Sequence, residues 1–159
     1  MKLHLGVLDI PYAYDQQTLT KKGKVAKRRR AIKKSITTGD VAEILEAKYS
    51  LMETFYEMNK QEIADELAKS VVGAYENLLM GGPKSADPTA EAASWIEQRF
   101  RQDIEQKKFD GVIAGVATQA SLDGVNHRLA RPYARRDARP SFDDTGLFKT
   151  SFKVWTGEF

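Results

Sequence analysis

The chain contains no cysteine among its 159 residues. This absence excludes disulfide bonds, thiolate metal sites and cysteine nucleophiles together, and it is typical of proteins that work in a reducing cytosol. Long apolar runs are also missing. No segment approaches the roughly 20 consecutive apolar residues that cross a bilayer, and the N-terminus has no signal-peptide pattern. The sequence therefore predicts a protein with no membrane partner.

Histidine is scarce as well. His4 and His127 are the only two, and neither has partners at the spacing that a zinc or catalytic site requires. The adjacent acids Asp143 and Asp144 could act with His127 as a metal-binding or general-base cluster. Adjacent carboxylates in extended backbone point apart, however, and in turns they commonly accept backbone N–H groups. We expect a turn at these acids, no cofactor, no metal and no enzymatic activity.

The composition that remains, 42% apolar and 30% charged, is typical of one globular domain. Its charge is unevenly distributed along the chain. Residues 40–127 carry 16 acidic and 8 basic side chains, whereas residues 21–34 carry no acid and residues 128–139 carry five arginines against Asp137. Such polarity favours contact between copies of the chain or with a polyanion.

The first basic segment contains the largest concentration of charge. Its residues are Lys21, Lys22, Lys24, Lys27, Arg28, Arg29, Arg30, Lys33 and Lys34. They could neutralise several phosphates, although no aromatic residue lies among them for base stacking. They could equally dock on the acidic middle of a neighbouring subunit or another partner, or remain solvated. The sequence leaves these three interpretations open.

Alternating residues predict a strand over residues 2–10, which Pro11 closes, and an extended basic arm follows over residues 11–37. Residues 38–109 form the helical part. We predict a helix capped by Thr38 or Asp40, a break near residues 58–60, and a second helix that ends at Gly81–Pro83. A third helix is predicted to begin at Asp87–Pro88 and to end near residues 109–111.

Residues 110–159 are expected to contain a connector or buried strand at 112–116 and a short helix capped by Thr118. A loop rich in arginine and proline then leads to a terminal strand with Phe148, Thr150, Phe152 and Val154 on one face. The terminal strand is predicted to pair with the N-terminal one, and the chain is predicted to be one α+β domain with three to four helices packed on a small, mainly antiparallel sheet. Two strands alone are marginally stable, so further strands or a sheet shared between subunits are implied.

Four blocks of the C-terminal third, Thr118–Leu129, Arg131–Ala134, Arg139–Phe142 and Asp144–Phe152, resemble virion proteins of tailed bacteriophages. The Thr145–Gly146 step followed by a strand is similar to the tail-completion, or head–tail joining, proteins of long-tailed phages. This resemblance implies a structural virion protein of the neck or tail that is assembled in the host bacterial cytoplasm.

The resemblance also implies partners. The subunits would form a homo-oligomeric ring, six- or twelve-fold, between head connector or portal-side proteins and tail terminator or tail-tube proteins, with genomic DNA passing through. The alternative is a non-sequence-specific nucleic-acid-binding module that uses the basic arm. In the neck interpretation the interface loop and strand comprise Arg128, Arg131, Tyr133, Arg135, Arg136, Arg139, Thr145, Gly146, Phe148, Phe152 and Trp155.

Overall fold

A single antiparallel strand pair joins the two ends of the chain, and helices cover one of its faces. The computed structural model describes residues 2–12, 36–124, 137–143 and 146–157. In chain order these residues form β1 (Lys2–Val7), α1 (Thr38–Tyr49), α2 (Leu51–Leu79), α3 (Ala90–Glu105), α4 (Gln119–Leu122), α5 (Leu147–Ser151) and β2 (Phe152–Gly157). The α+β class is confirmed, but the described residues form five helices rather than the predicted three to four. None of the helices in these described ranges is long and apolar enough to span a membrane.

The predicted pairing of the terminal strands is confirmed. β1 and β2 run antiparallel, with Leu3 opposite Thr156, Leu5 opposite Val154 and Val7 opposite Phe152. Because side chains alternate along a strand, these apolar residues share the face that meets the helices. Leu3, Leu5 and Val7 pack against the core, as their alternation predicts.

The first helix begins where the sequence places it. Thr37 is the N-cap, its hydroxyl accepts a bond from the Asp40 N–H, and the Asp40 carboxylate accepts one from the Thr37 N–H. Such a reciprocal pair satisfies two otherwise unpaired backbone donors at the helix start. The cap is one residue earlier than the predicted Thr38, which is itself completely buried.

The predicted helix break near residues 58–60 is wrong. The chain breaks at Ser50, whose φ of 44° lies in the left-handed region, and α2 then runs unbroken through residue 58. The Glu46 carboxylate accepts bonds from the N–H groups of Met52 and Glu53 and so caps the second helix. Asn59 interrupts the apolar pattern because it is a buried polar residue, bonded to Asp103 on α3.

The remaining helix ends lie near their turn residues, except that α3 ends at Glu105, four residues before the predicted end near residues 109–111. α2 ends at Leu79, just before the predicted Gly81–Pro83 stop. α3 begins at Ala90, because the Asp87 carboxylate accepts bonds from the N–H and the hydroxyl of Thr89 in a turn that precedes the helix. Thr118 caps α4 as predicted. Residues 112–116 form turns, so the connector interpretation is confirmed for them.

The predicted terminal strand is too long at its start. Residues 147–151 form the short helix α5, and β2 begins only at Phe152. Gly146, at a φ of 76°, starts this turn, and its N–H donates to the Asp143 carboxylate at 2.9 Å. Phe148 and Phe152 are four residues apart, a spacing that brings both to one side in a strand and in a helical turn alike. The alternation could not distinguish these structures.

Aromatic rings fill the centre of the core. Phe152 is completely buried and stacks on Phe100 with the ring centroids 3.9 Å apart, while Phe55 meets both rings edge-on. Phe109 and Phe148 extend this cluster. The core therefore joins α2, α3, α5 and β2 through a single set of phenylalanines, and the strand pair is held by this packing rather than by its own hydrogen bonds alone.

Candidate functional site

The candidate contact surface is the outer face of the strand pair, which includes Trp155 of the predicted interface strand. The register places Lys2 opposite Gly157, His4 opposite Trp155 and Gly6 opposite Lys153. Lys2 and His4 are exposed, and Trp155 keeps half of its surface in solvent. A half-exposed tryptophan on a polar face is the kind of residue that contributes most to protein–protein contacts.

The Trp155 ring is fixed before any partner arrives. It lies nearly parallel to the His4 ring, with the centroids 5.6 Å apart and 10° between the planes. It also covers Gly6, where an added Cβ would be only 2.7 Å from the ring carbon Cη2. Glycine at this position lets the indole lie flat on β1. A large, preorganised aromatic surface can then be buried by a partner with little further loss of side-chain freedom.

The charges beside Trp155 bear on which partner it suits. Lys153 Nζ is 2.7 Å from the Glu97 carboxylate, which also lies 3.3 Å from Arg101. Lys153, which shares the outer face with the indole, is thus already paired with a carboxylate of α3. This arrangement favours a protein partner over phosphate groups, which need cations free to approach them.

The two strand edges differ. On β2 the Glu97 carboxylate accepts a bond from the Val154 N–H at 3.4 Å, and the hydroxyls of Thr89 and Thr156 meet at 3.2 Å. The N-terminal part of α3 therefore covers this edge. β1 has a neighbouring strand on one side only, within the ranges that the structure describes. An edge strand of this kind can accept a strand from another chain.

The predicted interface residues do not share one surface. Trp155 is on the outer face, while Phe148 and Phe152 are core residues with at most 4% exposure. These two phenylalanines hold the strand in place and do not reach a neighbour in this conformation. Gly146 begins α5. Outside the described residues lie the basic-arm residues Lys21, Lys22, Lys24, Lys27, Arg28, Arg29, Arg30, Lys33 and Lys34, and also Arg128, Arg131, Tyr133, Arg135, Arg136 and Thr145.

Arg139 lies between α4 and α5 in the sequence and bonds to residues near both helices. Its N–H donates to the Ser121 carbonyl at 3.0 Å, and its guanidinium donates to the Asp143 carbonyl. The Asp143 carboxylate accepts from Gly146 and lies 2.7 Å from Lys149 Nζ. The bond with Asp143, together with one to Glu105, raises the pKa of Lys149. The predicted turn role is thereby confirmed for Asp143, while Asp144 lies outside the described residues.

The basic arm leaves and rejoins the fold at adjacent points. The Tyr12 N–H donates to the Ile36 carbonyl at 3.1 Å, and the Thr38 N–H donates to the Ile10 carbonyl at 2.9 Å. The completely buried Thr38 hydroxyl accepts from the Ile10 N–H and donates to the Leu8 carbonyl. Residues 12 and 36, which flank residues 13–35 in the sequence, are therefore held side by side.

A buried polar cluster between α2 and α3 was not anticipated from the sequence. The completely buried Asp103 accepts a bond from Asn59 at 2.9 Å and lies 3.2 Å from Arg99 Nε and 3.0 Å from Lys108 Nζ. Two cations and an amide balance the carboxylate, so the cluster fixes the register of the two helices. The pattern break at Asn59 was the only hint of it.

These residues do not form a metal site. Over the part of the chain that is described, no three histidine or acidic residues are grouped so that they could hold a metal ion. Among the described residues the geometry offers two contact features, an aromatic platform and a strand edge that has no neighbouring strand. No family model, no curated protein and no solved structure matches this chain.

Proposed function

We propose that this protein is a structural, non-enzymatic virion subunit of a tailed phage, which forms the tail-completion ring that joins the head connector to the tail. The observation that carries the proposal is the β1 edge, which has no neighbouring strand among the described residues, together with the indole of Trp155 that lies on β1. The resemblance of the C-terminal blocks to such proteins supports it. An incomplete sheet next to an aromatic anchor is suited to head-to-tail contact between identical subunits.

In this proposal each subunit contributes a segment to the β1 edge of its neighbour, and six or twelve copies close the ring. The basic arm, residues 11–37, docks on the acidic helical part of an adjacent copy or faces the DNA that passes through the ring. Head connector or portal-side proteins lie on one side, and tail terminator or tail-tube proteins on the other. The ring belongs to the virion and is assembled in the host bacterial cytoplasm.

The experiment that tests the arm replaces residues 13–35 with a short Gly/Ser turn. Because the backbones at Tyr12 and Ile36 are already hydrogen-bonded, a turn of about two to four residues closes the gap without strain. We expect the variant to keep the circular dichroism and thermal transition of the full chain. Electron microscopy should show rings for the full chain and none for the variant, and rings from the variant would contradict an assembly role for the arm.

A second variant tests the platform. Trp155→Ala removes the exposed indole, and Tyr56→Ala, which removes a ring of similar exposure on α2, serves as the matched control. We expect Trp155→Ala to abolish the rings or to weaken their assembly about tenfold or more, as for a central aromatic anchor. Tyr56→Ala should leave them intact. Equal behaviour of the two variants would exclude Trp155 from the contact.

The second candidate function is nucleic-acid binding, which is favoured by the basic composition of residues 21–34. Titration of duplex DNA at several salt concentrations separates it from the first. Submicromolar affinity that falls steeply with salt, and is lost when residues 13–35 are replaced, would favour this module. Absence of binding would favour docking of the arm on protein.

A further inference from the structure

The second half of α2 extends beyond the core. The last buried residue of this helix is Ser70, whose hydroxyl donates to the Pro88 carbonyl at 2.7 Å. The nine residues from Val71 to Leu79 include no buried residue, although they continue the same helix for more than two turns. A helix that projects in this way usually carries a polar surface, because water surrounds it on most sides.

This projection is instead apolar. Five residues, hereafter the distal α2 face, have exposed fractions of 40 to 69%: Val71, Val72, Tyr75, Leu78 and Leu79. At about 100° per residue they lie within a stripe roughly 120° wide. Within the surrounding residues 70–83, Glu76 is the only charged side chain. Exposed apolar surface of this extent on a helix marks an interaction site.

The surface has both a ridge and a groove. Val71, Tyr75 and Leu78 line one side of a groove of about 200 Å³, and Lys84, Ser85 and Pro88 line the other. Val72 and Leu79 stand beside it as the ridge. A face that carries both features can pack against a copy of itself, because a two-fold axis sets the ridge of each copy over the groove of the other.

The lack of charge and the size of the face identify the occupant. The face and its groove carry only Glu76 and Lys84, one charge of each sign, so neither a polyanion nor a strongly basic segment has a matching charged patch to pair with. The exposed parts of the five residues amount to roughly 500 Å² per copy, so two copies would bury about 1,000 Å² between them, the minimum area for a specific interface. We propose that the distal α2 face is a two-fold contact with a second copy of this chain.

This contact is additional to the proposed ring. A two-fold contact uses the same patch on both partners and is complete with two copies, whereas a ring needs two different faces on each subunit. The distal α2 face is also separate from the open β1 edge. An experiment can therefore contradict the two-fold contact without contradicting the ring, and the reverse.

The test is sedimentation velocity and equilibrium of the full chain beside two substitutions. Leu79→Glu places a charge on the distal α2 face, and Ile44→Glu places one at a similarly exposed helix position on α1. We expect Leu79→Glu to weaken the two-fold association by about thirtyfold or more, as for a central interface residue. Ile44→Glu should not change it, and circular dichroism should show that both variants are folded.

The absence of cysteine permits an independent measurement. Under oxidising conditions the single substitution Tyr75→Cys, near the middle of the stripe, should cross-link two copies, whereas Ile44→Cys should not. Disulfide formation requires Cα atoms about 4.4–6.8 Å apart, so the cross-link reports a position close to the two-fold axis. A full chain that is monomeric at tens of micromolar would overturn the proposal. Rings or dimers unaffected by Leu79→Glu would overturn it too and would leave the ring proposal standing. Loss of binding to a different protein, with association between copies unchanged, would also overturn it.

Discussion

Replacing Phe152 with alanine tests the core side of β2, and its effect on stability should differ from that of a substitution on the outer side. The side chain has no exposed surface, stacks on Phe100 at 3.9 Å and meets Phe55 edge-on at 5.9 Å. Phe→Ala substitutions in cores cost about 3–5 kcal/mol through lost transfer free energy and the cavity that remains. Two ring partners place Phe152 at the upper end, about 4–5 kcal/mol. For a chain of this size the melting temperature should fall by roughly 10–15 °C.

The control is Trp155→Ala on the same strand. Half of that side chain is already in solvent, so its removal should cost no more than about 2 kcal/mol in the free energy of unfolding. Urea unfolding followed by far-ultraviolet circular dichroism measures both values. The description of the core would be refuted if Phe152→Ala cost less than about 2 kcal/mol, or if Trp155→Ala cost as much as Phe152→Ala.

Three further substitutions test the turns and joints. Gly146→Ala forces a side chain into a φ of 76° and should lower the free energy of unfolding by about 1–2 kcal/mol, as measured by urea unfolding. Thr38→Val leaves the Ile10 N–H without its buried acceptor and should cost about 2–3 kcal/mol in the same assay; a neutral result would contradict that bond. The pKa of Lys149 is raised from its ordinary value of 10.5 by its bond to Asp143, so its contribution to stability is complete below that pH and is lost as pH rises through the folded-state pKa. Urea midpoints measured from neutral to strongly alkaline pH should therefore fall less for Lys149→Met than for the unaltered chain.

The sequence was sufficient to predict the joining of the chain ends. Alternation predicts one strand over residues 2–10 and another over residues 148–155, and two strands so placed leave few alternatives for pairing. The helix caps at Thr37 and Thr118 were close to prediction for a similar reason, because a hydroxyl before a helix acts locally. Features that depend only on residues close together in the sequence could therefore be predicted without the structure.

Features that depend on distant contacts were not accessible. The polar residues at 58–60 suggested a break, yet Asn59 is held inside the helix by Asp103, which lies 44 residues later. The real break at Ser50 is stabilised by a carboxylate side chain that no pattern of apolar residues reveals. Similarly, Phe148 fits a strand and a helical turn equally well, and only the geometry at Gly146 decides between them.

The candidate surfaces also depend on contacts that the sequence does not show. The alternation placed Trp155 on the outer face, but the need for Gly6 beneath its ring appears only when the register is known. Val71, Tyr75 and Leu78 recur at helical spacing, which indicates an apolar stripe but does not show what covers it. An apolar pattern shows which side of a helix avoids water. Whether the core or another molecule covers that side depends on the rest of the fold.

The described aromatic residues divide between the core and the surface. Phenylalanines occupy the core, where their rings contact one another, whereas Trp155 and Tyr75 stay at least half exposed on two separate surfaces. Tyrosine and tryptophan are the aromatics enriched at protein interfaces, because each combines a large apolar area with a polar group. Loss of a core ring should therefore lower stability and assembly together. Loss of Trp155 should change assembly while the fold remains, and loss of Tyr75 should do the same for the two-fold contact.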